Sequence, residues 1–297
     1  MSKEQQSQLD AILRQGRIDT AADVASVRAA LNALMAQVPV PDDIQQKPAE
    51  IGGVGGIEVM LAGNEPGRVI LYFHGGVYVI GSAQTSVPLV SELVRRTGVN
   101  AITLDYRLAP EHPYPAAVDD ARAAYEGLLV QGVDAANIVL AGESAGGALA
   151  VITLLAAHDA GLPMPSCVFA MSPYADLSLT GDSLVAREDL DPVLTPAGLR
   201  VRAPEYLGGA DPSNPFISPI FADLRGLPAL LIQVGTHEIL LSDALRLAER
   251  AATNDVAVTL DVTPGVPHVF QGFAGLLDEG GAALDRAANF VRAHLAG

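Results

Sequence analysis

From about residue 57 onward, short apolar runs of strand length alternate with longer stretches of helical period, and this rhythm fixes the class of fold. The strand-like runs are 57–61, 69–73, 100–104, 137–141, 167–171, 229–234 and 257–262. Between and after them, residues 85–96, 115–130, 145–160, 195–206, 242–253 and 280–296 read as helices. Strand–helix alternation of this kind predicts an α/β domain with a mostly parallel central sheet flanked by helices. Continuous apolar strands such as Leu230-Leu231-Ile232 suit a sheet buried on both faces.

One junction in this pattern carries chemistry. The run Ile138-Val139-Leu140-Ala141 leads into Gly142-Glu143-Ser144-Ala145-Gly146-Gly147, and a long apolar helical stretch follows. In a Gly-x-Ser-x-Gly turn between strand and helix, the serine hydroxyl is lifted clear of the backbone. Only small residues two before and two after it avoid a clash. The helix N-terminus behind the serine supplies free N–H groups and partial positive charge, which suit a developing oxyanion. Ser144 is therefore the expected nucleophile.

Composition narrows the substrate. The 297 residues suffice for a large core, and the net charge is −16 with a pI near 4.6. Nucleic acid is excluded as a partner, because no basic stripe is present to neutralise phosphates. The same charge repels anions and favours a neutral small molecule. Cys167, the single cysteine, lies in an apolar run and reads as a small buried hydrophobe. The polar N-terminus lacks a signal-peptide core and no apolar run spans a membrane, so a cytoplasmic enzyme without membrane insertion is the expectation.

Two segments stand outside the alternation. Residues 4–15 and 20–37 read as helices, with Thr20 as a plausible N-cap and an extended Pro39, Pro41 and Pro48 linker after them. The glycine run 52–56 lacks the Lys-Ser/Thr ending of a phosphate loop and reads as a turn between strands. Residues 177–216 carry prolines and acids but no strand, as a lid or binding element does.

A serine needs a base, and the base needs a carboxylate to fix its tautomer. Six histidines are available. His268 follows the last strand run, in Pro264-Gly265-Val266-Pro267-His268, and Glu238 follows the 229–234 run. Ser144, Glu238 and His268 thus occur in the chain order of nucleophile-elbow hydrolases, each beyond a strand end. Asp243 is the nearest rival acid. His237-Glu238 begins a zinc-site pattern, but Leu241 stands where its second histidine belongs, so no metal is expected. His74-Gly75-Gly76, after the 69–73 strand, offers closely spaced backbone N–H groups. With Ala145 N–H it forms the expected oxyanion hole of Gly75, Gly76 and Ala145.

Taken together, these residues resemble the hormone-sensitive-lipase family of bacterial esterases and lipases, which have the α/β-hydrolase fold. The resemblance rests on the blocks 74–82, 105–117 (Asp105-Tyr106-Arg107-Leu108-Ala109-Pro110-Glu111-His112-Pro113-Tyr114-Pro115-Ala116-Ala117), 142–147, 172–177 and 267–270. It implies a serine carboxylesterase acting on short-to-medium acyl esters through Ser144, Glu238 and His268, with no metal or organic cofactor. It also implies a helical cap, built from residues 1–45 and from an insertion near 177–216 within a catalytic domain of 46–297. Family habit adds a homodimer through the edge strand near 257–262. Three departures are specific to this chain. Val77 replaces the third glycine of the usual His-Gly-Gly-Gly and narrows the expected alcohol pocket, Glu143 replaces an aspartate, and Glu238 fills a position more often held by aspartate. An amidase or deacetylase on the same triad is the alternative reading. A ligand-binding pseudoenzyme is disfavoured by the presence of His268.

Overall fold

The computed structural model describes residues 3–64 and 67–295. Its strands are β1 (Ile44–Ile51), β2 (Val54–Leu61), β3 (Val69–Phe73), β4 (Asn100–Leu104), β5 (Ile138–Glu143), β6 (Cys167–Met171), β7 (Ala229–His237) and β8 (Val258–Pro267). They form one eight-stranded sheet in the order β1-β2-β4-β3-β5-β6-β7-β8. Only the pairings of β2 with β1 and β4 are antiparallel; every other neighbour is parallel. The fold class expected from the alternation is the one observed.

The helices are α1 (Lys3–Gln15), α2 (Val24–Met35), α3 (Ala83–Thr97), α4 (Ala116–Val130), α5 (Ala145–Asp159), α6 (Ser183–Ala186), α7 (Pro196–Leu207), α8 (Leu241–Thr253) and α9 (Asp278–His294). Strand side chains alternate between two cores. Leu71, Leu140, Val168 and Ile232 pack with α4, α5 and α8, while Ile70, Tyr72, Val139, Phe169 and Leu231 pack with α3 and α9. Every residue of α5 from Ala145 to Ala157 is buried, as its all-round apolar sequence requires. That burial anchors the helix whose N-terminus carries Ser144.

Several boundaries differ from the sequence expectation. The proline-marked linker becomes edge strand β1, with Pro48 tolerated because an edge strand needs no N–H there. A two-residue turn at Gly52 and Gly53, both with positive φ, pairs β1 with β2. Helix α2 is capped by Asp23, whose side chain accepts from Ser26 N–H at 2.9 Å, and not by Thr20. The final helix is described to His294, and Ala296, its expected end, lies outside the described residues. Among the described residues no helix is long and apolar enough to cross a membrane.

Candidate active site

Each of the central residues sits immediately beyond the C-terminal end of its strand. Ser144 follows β5, Ser172 follows β6, Glu238 follows β7 and His268 follows β8. These four strands are neighbours in the sheet, so the four side chains gather along one edge. Ligands bind at this edge of parallel α/β sheets.

Ser144 occupies φ 55 and ψ −120, a conformation that side-chain-bearing residues rarely adopt. It is held there from both sides: its N–H donates to Met171 O at 2.8 Å, and its carbonyl accepts from Tyr174 N–H at 2.9 Å. The sharpness of the turn explains its glycines. A Cβ on Gly146 would lie 1.9 Å from Phe73 O, and one on Gly142 would lie 2.3 Å from Gly146 O. No substitution fits at either position without moving backbone.

His268 and Glu238 are joined directly. The His268 Nδ1–H donates to Glu238 Oε2 at 2.8 Å, with Glu238 fully buried and His268 nearly so. The other carboxylate oxygen accepts from Gly235 N–H at 2.7 Å and from the Ser172 hydroxyl at 2.8 Å. Burial alone depresses the His268 imidazole, but the hydrogen bond and charge of Glu238, helped by Asp191 and Glu143, outweigh it and raise the pKa above its ordinary 6.5. This bond leaves Nε2 as the ring nitrogen able to face substrate. Among the described residues no hydrogen bond joins Ser144 Oγ to His268 Nε2. Such contacts often tighten only when substrate is present.

The rival acid is committed elsewhere. Asp243 accepts from Ala175 N–H and Asp176 N–H, each at 2.9 Å, and makes no bond to His268. Two supporting residues escaped the sequence reading. Ser172 donates to Glu238 and accepts from Val269 N–H at 3.1 Å, so it ties the acid to the backbone that follows the histidine. Asp191, from the 177–216 insertion, accepts from Ile239 N–H at 2.9 Å and steadies the loop after Glu238. The signals available for Ser172 were its place directly after an apolar strand run and its membership of the 172–177 block, neither of which gives it a role. Asp191 had none.

The loop after β3 lies against the nucleophile, since a Cβ on Gly75 would sit 3.2 Å from Ser144 Cβ. One expectation is corrected here. Gly75 N–H already donates to Glu143 Oε1 at 2.7 Å and is not free for an oxyanion. The N–H groups of Gly76, Val77 and Ala145 donate to no protein acceptor among the described residues. Gly76 has φ 119, and a Cβ there would meet Ile80 O at 2.1 Å, so glycine is required. His74 is buried and neutral, its pKa pushed down by burial to about 4. Its Nδ1–H donates to Gly75 O at 2.7 Å, and its ring stacks on Tyr106 at 4.2 Å. Burial drives the Glu143 carboxyl up to about 7, against the opposing pull of the Tyr72 hydroxyl, the Gly75 N–H and His268.

A family model described as the alpha/beta hydrolase fold matches residues 70–272. The chain belongs to the α/β-hydrolase fold family. Within it, the likeness is to hormone-sensitive-lipase esterases, as the sequence blocks had implied. An acetyl-hydrolase of Streptomyces hygroscopicus is 44% identical over 228 residues, 77% of this chain and 76% of its own. An esterase of Acinetobacter venetianus is 37% identical over 267 residues, 90% of this chain and 88% of its own. The crystal structure of an esterase from the bacterial hormone-sensitive lipase family superposes with a TM-score of 0.96 at 38% identity, over 100% of both chains.

Proposed function

We propose that this α/β hydrolase is a serine carboxylesterase for neutral esters of short-to-medium acyl chain. His268 Nε2 takes the Ser144 proton as Oγ attacks the ester carbonyl. The tetrahedral oxyanion is held by N–H groups of Gly76, Val77 and Ala145. His268 then passes the proton to the departing alkoxide, the alcohol leaves, and Ser144 remains acylated. Water, deprotonated by His268, attacks the acyl carbon, and the acid product and free serine result. Glu238 holds the imidazole and stabilises its charged form. No step calls for a metal or organic cofactor.

The observation that carries this reading is the His268–Glu238 hydrogen bond at 2.8 Å, buried beside a serine held in a strained turn at a helix N-terminus. In the same reading, the cap is formed by the described residues 3–43 and by 177–216, since Ile44 and Gln45 of the expected 1–45 segment already belong to β1. It is supported by Arg14 and Arg17, which reach from the N-terminal segment to carbonyls of Asp189, Leu190 and Asp191. Val77 narrows the alcohol side, so tertiary-alcohol esters are poor substrates. The location is cytoplasmic, which fractionation tests. Among the described residues, edge strand β8 pairs only with β7, and it offers its free side to a second copy; a solution mass near the 30.7 kDa monomer at micromolar concentration overturns that dimer.

The deciding experiment is hydrolysis of p-nitrophenyl esters from acetate to palmitate by wild type and Ser144→Ala. Activity concentrated on short chains and lost in the variant is expected. A folded wild type without esterase activity overturns the reading, and turnover of the matching anilides ahead of the esters favours the amidase alternative.

A further inference from the structure

The oxyanion loop is strained where it presents its N–H groups. Val77 and Tyr78 have φ 49 and 62, left-handed values that a β-branched and an aromatic residue adopt only when their surroundings impose them. The surroundings that impose them come from outside the catalytic sheet. On one side, Tyr206 of α7 lies flat on Tyr78, with ring centroids 3.9 Å apart and planes within 10°, and both rings are fully buried. Tyr114 closes the same cluster edge-on, and its N–H donates to Tyr206 O at 2.8 Å. On the other side, Arg28 of α2 donates through Nε to Val79 O at 2.8 Å and through Nη2 to Ala109 O at 2.9 Å. Ala109 N–H in turn donates to Tyr78 O at 2.9 Å. Glu111 fixes the Arg28 guanidinium in a two-pronged ion pair.

The two grips are fastened to each other. Arg202 of α7, almost wholly buried, donates through Nε to Thr20 O at 2.7 Å and through Nη2 to Ala22 O, in the segment that leads into α2. Helices α2 and α7 therefore bear on the loop as one body, and residues 77–79 are clamped between them and the sheet. Buried packing of this density has discrete arrangements and does not deform gradually, so loss of one grip lets the loop relax toward negative φ. The Gly76 and Val77 N–H groups then turn away from the position of the oxyanion.

We infer that Tyr206 and Arg28 are positioning residues, through which the cap holds the oxyanion loop in its donor-presenting conformation. The inference rests on the esterase reading of Ser144 given above. Neither residue touches the reacting atoms; each acts through Tyr78 and Val79. The Tyr206 and Tyr78 hydroxyls have no hydrogen-bond partner among the described residues, so what Tyr206 contributes is the stacked ring.

The test compares wild type, Tyr206→Ala, Tyr206→Phe, Arg28→Met and Ser144→Ala on p-nitrophenyl butyrate. It also measures inhibition by an alkyl trifluoromethyl ketone, whose serine adduct carries an oxyanion. Loss or misplacement of an oxyanion donor costs about 10²-fold or more, and a loosened loop less, so Tyr206→Ala and Arg28→Met are expected to lower kcat about 10- to 100-fold. KM stays within about threefold, because binding shared by ground and transition states is untouched. The inhibition constant for the ketone rises by the same factor as kcat/KM falls. Tyr206→Phe, which keeps the ring, recovers most of the activity. A rise in KM at unchanged kcat makes Tyr206 a pocket wall and overturns the inference, as does Tyr206→Phe behaving like Tyr206→Ala. Should Tyr206→Ala fail to fold, the partly exposed Arg28→Met carries the same expectation. Activity surviving in Ser144→Ala removes the esterase reading and the inference with it. A dead Ser144→Ala beside normal Tyr206→Ala and Arg28→Met overturns the inference alone.

Discussion

Glu143 offers a test of the site that is independent of turnover. Its Oε2 is enclosed although the residue as a whole is only partly buried, and burial lifts the group from 4.5 to about 7. At about 1.36 kcal/mol per tenfold, that rise corresponds to about 3 kcal/mol between the two protonation states. Between pH 4.5 and 7 the folded chain keeps a proton that the unfolded chain has released, so stability falls as pH rises across that window. Below it both states are protonated and the effect is absent; above it the full loss is present. Glu143→Gln removes the ionisation and keeps a carbonyl oxygen for Gly75 N–H. Asp191 and Asp243, whose carboxyls burial also raises, slope in the same direction but are shared by both proteins and cancel in the comparison. About 2.5 kcal/mol of that loss falls between pH 5 and pH 8, and a chain of this length has an unfolding entropy of about 0.6 kcal/mol/K, so the variant should gain about 4 °C in Tm relative to wild type between those pH values. Thermal melts of the two proteins at those pH values give the answer. An equal Tm difference at both would mean that the carboxyl is solvated or already ionised at pH 5, and the reasoning would be wrong.

Three further outcomes are expected. First, kcat/KM should fall at acid pH as His268 takes up a proton, with a midpoint above the ordinary 6.5 because Glu238, Asp191 and Glu143 together outweigh the effect of burial; a profile flat from pH 5 to 9 contradicts His268 as base. Second, Ser172→Ala deletes a hydrogen bond to a buried carboxylate and leaves Val269 N–H without its acceptor. It should cost about 1.5–3 kcal/mol, or about 2–5 °C in Tm, and lower kcat with little change in KM; a Tm within 1 °C of wild type, roughly the limit at which such a loss is visible, denies the bond this value. Third, Gly146→Ala places a methyl 1.9 Å from Phe73 O. The loss should exceed about 4 kcal/mol and appear as insoluble or unfolded protein; a soluble, active Gly146→Ala would show that the elbow yields more than packed backbone should.

What the sequence made legible was decided by burial. Strands β3, β4 and β6 begin and end where their apolar runs do, because both faces of a central parallel strand must be apolar. Strand β1 was hidden for the converse reason: only Ile44 and Ile51 of its eight residues are buried. Its pairing comes from the Gly52-Gly53 turn and not from its own composition. The β7–β8 end was also underread. Strand β8 continues beyond the 257–262 run to Pro267, so His268 follows the strand directly and not after an intervening segment. The Gly75 assignment failed because spacing reports which N–H groups are near one another, not which are already taken. Only the fold brings the Glu143 carboxylate within 2.7 Å of that N–H. Tyr206 and Tyr78 are likewise unremarkable in sequence, and their contact exists only once α7 is laid over the oxyanion loop.

Sheet register explains why these four residues meet. Glu143 pairs with Met171, so the next residues, Ser144 and Ser172, emerge side by side. His237 pairs with Pro267, so Glu238 and His268 do the same. The two pairs are not level: Met171 lies opposite Gln233, five residues before Glu238. An irregularity between Gly235 and His237 breaks the β7–β8 ladder, and Gly235 N–H turns back onto the Glu238 carboxylate. Ser172 then spans the remaining gap with one hydroxyl, donating to the acid and accepting from the residue after the histidine. Nucleophile and acid–base pair are thus set by two separate registers, and Ser172 is the side chain that couples them. A substitution at Ser172 should therefore disturb the alignment of His268 with Ser144 more than it disturbs the His268–Glu238 bond itself.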